Sequence, residues 1–260
     1  MPNEFIKYEK KNKIAYVTIN RPEVMNSLHP PAVDEFWQAW CDFRDDPDMW
    51  VAIVTGAGEK SFCVGADLKY RAVNFKGGTI PTPPGGFGGI TNRYECFKPI
   101  IAAVNGYALG GGFEIALASD IIIAAEHAKF GFPEPTVGLM ARGGGVQRLS
   151  RQVPLKVAMG IILTARQVSA QEACRIGLVN EVVPLKDLIP CAERWAADIL
   201  RCAPLSVKAS KETAMKGLDY PLEAAINNRY QYLEEMLNSE DALEGGKAFA
   251  EKRKPQWKGR

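Results

Sequence analysis

Two glutamates and two glycine-bearing turns are the residues of this chain whose types and spacing could do chemistry. In Asn105-Gly106-Tyr107-Ala108-Leu109-Gly110-Gly111-Gly112-Phe113-Glu114 an apolar strand runs into three glycines and then a helix. Glycines let a backbone approach a ligand without a β-carbon in the way. A helix start leaves N–H groups without intrahelical acceptors, which suits them to a carbonyl oxygen that turns negative in a transition state. A plain glycine-rich turn has the same sequence, so the motif alone leaves both readings open. Ser61-Phe62-Cys63-Val64-Gly65-Ala66-Asp67-Leu68-Lys69 repeats the theme after another strand, as a tight turn or as a second donor. The spacing matches neither G-x-G-x-x-G nor a phosphate loop with its Lys-Ser/Thr pair, which argues against dinucleotide and Walker-type binding.

Glu114 sits in the first turn of its helix, where a carboxylate is favoured by the helix dipole alone. Its neighbours Phe113, Ile115, Ala116, Leu117 and Ala118 are apolar, and burial among them predicts a raised pKa suited to acid–base work. Glu134 lies in Phe130-Gly131-Phe132-Pro133-Glu134-Pro135, fixed between two prolines behind an aromatic pair. That is an unusual setting for a merely solvated side chain.

The elements that must hold these residues follow from periodicity. Residues 14–19 read as a β-branched strand ended by Asn20-Arg21-Pro22, residues 32–46 as a helix, and residues 51–54 as another strand. The pattern returns at 100–104, 113–119 and 121–124, so the fold class is α/β, built from repeated ββα-like units. A doubly wound nucleotide-binding fold has the same alternation, and the turn motifs must decide between the two. Residues 75–90 are rich in glycine and proline and predict a long mobile loop, a candidate cover for a substrate. Helices are expected over 170–176, 185–201, 206–216 and 222–239. The division expected is a core over 1–200 and a helical region over 201–260, whose apolar faces suit contact with another subunit.

At 260 residues with 47% hydrophobic and 24% charged residues, the chain predicts a packed globular protein. A net charge of +2 gives no reason to expect a nucleic acid partner. Lys252, Arg253, Lys254, Lys258 and Arg260 form a basic C-terminal run, read as a solvated tail or as a contact to an anionic group. Six cysteines form no C-x-x-C pair and predict a reducing compartment, read as the cytoplasm, and two histidines away from any cysteine cluster predict no metal site. No apolar run reaches the roughly 18 residues of a membrane span, so no membrane partner is expected. The acidic residues Glu4 and Glu9 near the start predict no leader peptide.

Arg21-Pro22, Asn26-Ser27-Leu28, Gly65 to Lys69, residues 105–114, Pro133-Glu134, Val137-Gly138-Leu139, residues 143–149 and 170–180, and Ala248 to Arg253 occur in the order seen in the enoyl-CoA hydratase (crotonase) family, and the chain resembles that family over nearly its whole length. The resemblance implies a crotonase-like spiral of ββα units and an acyl-CoA substrate. It implies that the N–H groups of Ala66 and Gly111 form an oxyanion hole and that Glu114 and Glu134 are the two hydratase carboxylates. It places a bent coenzyme A along Ala66, Asp67, Leu68 and Lys69, near Val24, with Phe249 and basic C-terminal residues completing the pocket, often from a neighbouring subunit. A homotrimer or dimer of trimers is implied, and no cofactor apart from the coenzyme A of the substrate. Hydration across C2–C3 is the expected reaction. Double-bond isomerisation or C–C cleavage of an acyl-CoA is the rival within the family, and a non-catalytic or RNA-binding relative is the rival outside it.

Overall fold

Continuous apolar runs, rather than alternating ones, mark the central strands, as expected for sheets buried on both faces. The computed structural model describes residues 4–74 and 81–260. Its strands are β1 (Ile6–Lys11), β2 (Ile14–Ile19), β3 (Val51–Gly56), β4 (Ser61–Cys63), β5 (Ile100–Val104), β6 (Tyr107–Leu109), β7 (Ile121–Ala125), β8 (Lys129–Gly131), β9 (Val168–Ser169) and β10 (Glu181–Val183). Its helices are α1 (Pro30–Asp45), α2 (Leu68–Asn74), α3 (Gly111–Ala118), α4 (Gly145–Gln152), α5 (Leu155–Thr164), α6 (Ala170–Arg175), α7 (Leu188–Leu200), α8 (Pro204–Gly217), α9 (Leu222–Asn227), α10 (Gln231–Leu237) and α11 (Glu240–Ala250).

The strands form a large sheet in the order β1-β2-β3-β5-β7-β10 and a smaller one in the order β4-β6-β8-β9. β1 and β2 are an antiparallel hairpin turning on Asn12 and Lys13, both at positive φ, the backbone hand that matches strand twist in a two-residue turn. The remaining neighbours in the large sheet are parallel. Each of the pairs β3/β4, β5/β6 and β7/β8 sends its first strand to the large sheet and its second to the small one, which makes the fold a spiral of repeating units. One face of the large sheet, through Ala52, Val54, Ala102 and Val104, packs with α1, α3 and the small sheet. Its other face, through Val51, Ile53, Ile101 and Ile123, is covered by α7.

Two asparagines pin the places where the chain crosses between sheets. Asn105 Nδ2 donates to the carbonyls of Gly56 (2.9 Å), Gly58 (2.7 Å) and Ser61 (3.1 Å). Asn26 Nδ2 donates to Ala57 (3.0 Å) and Ser61 (2.7 Å), while its Oδ1 accepts from the Arg21 N–H. The crossings leave main-chain groups without ladder partners in a buried place, and the side-chain amides satisfy them.

Three expectations need correction. The mobile loop over 75–90 is only partly within view, since 75–80 lie outside the described residues. Gly85, Gly86, Gly88, Gly89 and Ile90 are buried, not mobile in character: the turn lies against Trp37, and the Trp40 indole N–H donates to Gly88 O at 3.0 Å. There the glycines serve close packing, not freedom. The single helix expected over 222–239 is two, broken at Asn228, Arg229 and Tyr230. The break buries Tyr230 and lets the Tyr232 N–H donate to the fully buried carboxylate of Glu212 at 2.7 Å. The C-terminal basic run is not a loose tail, although its side chains are exposed: Arg253 pairs with Glu244, Lys258 with Glu240, and the buried Asp241 accepts from the N–H groups of Lys258 (2.7 Å) and Gly259 (2.8 Å). α4, α5 and α11 were not legible as helices; α11 carries Gly245-Gly246, and Gly245 packs against the ring of Trp257.

Candidate active site

The Gly65 turn and the start of α3 are pressed together. Gly65 has φ +91°, and a β-carbon on it would stand 2.9 Å from the Gly111 nitrogen. Gly112 is tighter still: its β-carbon position lies 1.9 Å from the Cys63 carbonyl oxygen, so only glycine fits. Leu28 bridges to Ala66 by donating to Gly65 O (2.8 Å) and accepting from the Asp67 N–H (2.9 Å). That pairing leaves the Ala66 N–H on the side away from Leu28. Gly111 is the first residue of α3, with Gly110 as its N-cap, so its N–H has no intrahelical acceptor. Both residues line one cavity of about 530 Å³.

Glu114 enters that cavity from the first turn of α3, above a packed cluster of Phe113, Phe130 and Phe132. Its side chain is 4% exposed. Gly145 N–H donates to Oε1 at 2.9 Å, and Gly143 N–H also donates to the carboxylate. Burial pushes the carboxyl up to about 7, the charge of Glu134 adds to the rise, and the two N–H groups and Arg148 oppose it. Arg148 braces this cradle by donating to Gly143 O (3.1 Å) and Thr91 O (2.6 Å).

Glu134 opens a short 3-10 turn, Glu134–Val137, directly after Pro133. Gly110 lies against it, with a β-carbon position 2.9 Å from Oε1. Its Oε2 is buried with no hydrogen-bond partner among the described residues, and burial raises its pKa. Two carboxyls whose pKa values burial raises therefore border the same cavity as the two backbone turns, an arrangement able to polarise a carbonyl and move protons beside it.

Of the residues expected in the site, the structure brings Ala66, Leu68, Gly111, Glu114 and Glu134 to the cavity wall. Asp67 does not present its carboxylate there. It is bound by Arg21 through two nitrogens at 3.1 Å and accepts the Tyr70 N–H at 3.0 Å, so it fixes the start of α2. Lys69 and Val24 are outside the lining, and Phe249 stands 88% exposed on α11, also outside it. Phe87, Arg71 and the Gly143 and Gly145 N–H groups are site residues that the sequence did not single out as such, whereas Met140 and Arg142 line the cavity as their place before the glycine cluster suggests. The short spacing Gly143-Gly144-Gly145 before Arg148 was the available signal, a second glycine turn opening a helix.

Residues 9–260 match the sequence profile of the family described as Enoyl-CoA hydratase/isomerase. The chain is 44% identical over 258 residues to (E)-benzylidenesuccinyl-CoA hydratase of Thauera aromatica, covering 96% of this chain and 98% of that protein. It is 42% identical over 264 residues to carnitinyl-CoA dehydratase of Salmonella arizonae, covering 99% of each. The crystal structure of an enoyl-CoA hydratase from Mycobacterium marinum superposes with a TM-score of 0.91 at 37% identity, covering 98% of this chain and 99% of that one.

Proposed function

The chain belongs to the enoyl-CoA hydratase/isomerase family, and from that premise we propose that it is a hydro-lyase adding water across the C2–C3 double bond of an enoyl-CoA, or removing it in reverse. The observation that carries this reading is the meeting of Glu114, Glu134 and the Ala66 and Gly111 turns around one cavity, with both carboxyls held above the usual carboxylate range by burial.

In this mechanism the Ala66 and Gly111 N–H groups receive the thioester oxygen as it takes on enolate character, each contributing about 3–4 kcal/mol to the transition state. Glu114, ionised and clamped by Gly143 and Gly145, takes a proton from water as the hydroxyl bonds to C3. Glu134, whose Oε2 has no other partner, delivers a proton to C2. The cycle leaves Glu114 protonated and Glu134 ionised, and proton exchange with solvent restores the start. Coenzyme A is part of the substrate, and no separate cofactor enters the scheme. Relatives named for substituted acyl groups, at 44% and 42% identity, support an acyl group other than a plain short chain.

We further propose a homotrimer or dimer of trimers in which Phe249 of one subunit reaches the cavity of another. Leu218 (72%), Leu222 (76%), Ile226 (72%) and Leu243 (79%) are exposed on or beside the C-terminal helices, more apolar surface than a lone chain normally shows. Sedimentation as a stable monomer would contradict this. Six free cysteines support a reducing compartment such as the cytoplasm, and no helix among the described residues is long and apolar enough to cross a membrane.

The test is product analysis of crotonyl-CoA in isotopically labelled water. The expected product is 3-hydroxybutyryl-CoA, and Glu134→Gln should lower kcat by about 10²–10⁴. Isomerised or cleaved product without a hydroxyl, or a Gln variant within tenfold of the parent, overturns the reading.

A further inference from the structure

The charged residues lining the cavity are Glu114, Glu134, Arg71 and Arg142. Neither guanidinium has an ion-pair or hydrogen-bond partner among the described residues. Arg142 is exposed at the edge of the cavity, which Thr136 and the exposed Val137, Leu139 and Met140 also line. A guanidinium stays charged at any working pH and offers a planar fork of donors matched to a carboxylate.

The two arginines stand on different walls. Arg71 belongs to α2, the helix that follows the Ala66 turn. Arg142 precedes Gly143, whose β-carbon position is 2.6 Å from Glu114 Oε2. Successive Cα atoms are about 3.8 Å apart, so the Arg142 Cα lies within about 8 Å of the carboxylate that acts at C3. Its charge is not committed to either glutamate. Arg148 is the cation that braces the Glu114 cradle, and Glu134 Oε2 has no partner at all. With the carbonyl at Ala66 and Gly111, and C2 and C3 at the glutamates, an acyl group that runs on past C3 along Val137, Leu139 and Met140 comes to Arg142.

We propose that Arg142 determines acyl specificity by receiving a carboxylate on the acyl group, so that the substrate is an enoyl-CoA bearing a second, free carboxylate beyond C3. This rests on the hydratase reading of the site. The reaction that supplies such a substrate must attach coenzyme A to one carboxyl of an unsaturated dicarboxylic acid, or desaturate the saturated monothioester.

Two matched pairs of thioesters test it. Glutaconyl-CoA is crotonyl-CoA with a carboxylate on C4, and glutaryl-CoA bears the same relation to butyryl-CoA, which lacks the double bond and reports binding alone. The protein should prefer glutaconyl-CoA over crotonyl-CoA in kcat/KM, and glutaryl-CoA over butyryl-CoA in Kd, by tenfold or more. Arg142→Gln should reduce both ratios by tenfold or more, about 1.4 kcal/mol for each decade. Arg142→Lys should restore part of each ratio, since it keeps the charge and loses the fork. Ratios unchanged by Arg142→Gln, or an equal loss on all four thioesters, overturn the proposal, the second by assigning Arg142 to the shared coenzyme A. If neither enoyl ester is hydrated, the hydratase reading falls, while the glutaryl-to-butyryl binding ratio still decides what Arg142 recognises.

Discussion

Replacing Glu114 with glutamine should flatten the pH dependence of stability as well as remove activity. Below about pH 4.5 the Glu114 carboxyl is protonated in both folded and unfolded chains. As pH rises from there, the unfolded chain ionises, whereas the folded one keeps its proton until about 7. The unfolded state therefore gains, and stability present below 4.5 is lost as pH climbs through 7. At about 1.4 kcal/mol per pH unit, the span from 4.5 to about 7 amounts to about 3 kcal/mol. The side chain is 4% exposed, so solvent screens little of this. In the variant the amide oxygen still accepts from Gly145, but an NH2 group faces the Gly143 N–H, a constant cost of about 1–3 kcal/mol. That offset moves the whole curve and leaves its slope alone. Urea unfolding of both proteins at several pH values between 4 and 8, at one protein concentration, should show the parent losing about 3 kcal/mol relative to the variant. A difference that stays constant within about 1 kcal/mol over that range would refute the account of a buried, proton-retaining Glu114.

The same carboxyl sets the rate profile: kcat/KM for hydration should rise with pH through about 7 as Glu114 becomes a base, and an acid limb below pH 5.5 would contradict a proton-retaining Glu114. Gly112→Ala should destabilise by about 3 kcal/mol or more, because the added methyl meets a backbone carbonyl that cannot retreat, and a loss under about 1 kcal/mol on denaturant titration would show that the turn yields. Arg148→Met should release the Gly143 and Thr91 carbonyls and lower kcat about ten- to hundredfold with a smaller change in KM; an unchanged kcat would separate the brace from the geometry of Glu114.

The parts of the fold that were legible are those where one chain segment reports on itself. The strands at 14–19, 51–56, 100–104 and 121–125 announce themselves by β-branched runs, and α1 by aromatic residues at helical spacing. Glu114 and Glu134 stood out because a carboxylate amid apolar neighbours is legible locally. What was not legible depends on distant partners. The Gly85 to Ile90 turn reads as flexible until Trp37 and Trp40 are placed against it. The break at 228–230 answers to a buried Glu212 on another helix. Asp67 resembles a ligand-facing carboxylate in a motif, yet Arg21, 46 residues earlier, claims it. The Gly143 and Gly145 N–H groups could be recognised as a cradle only once α4 stood next to α3.

The asparagine amides at the sheet crossings separate what this protein can vary from what it cannot. Asn26 and Asn105 lock together the end of β3, the start of β4 and the chain entering β6, the strands that lead into the Gly65 and Gly111 turns, so a change there disturbs the donors and the sheets at once. The segments that carry Phe87, Val137, Met140 and Arg142 line the cavity from outside the strands. Substitutions in them can resize or recharge the acyl end without loosening the proton-transfer centre. A lineage built on this plan is free to explore new thioesters one wall residue at a time, with the catalytic step carried along as an inherited constant.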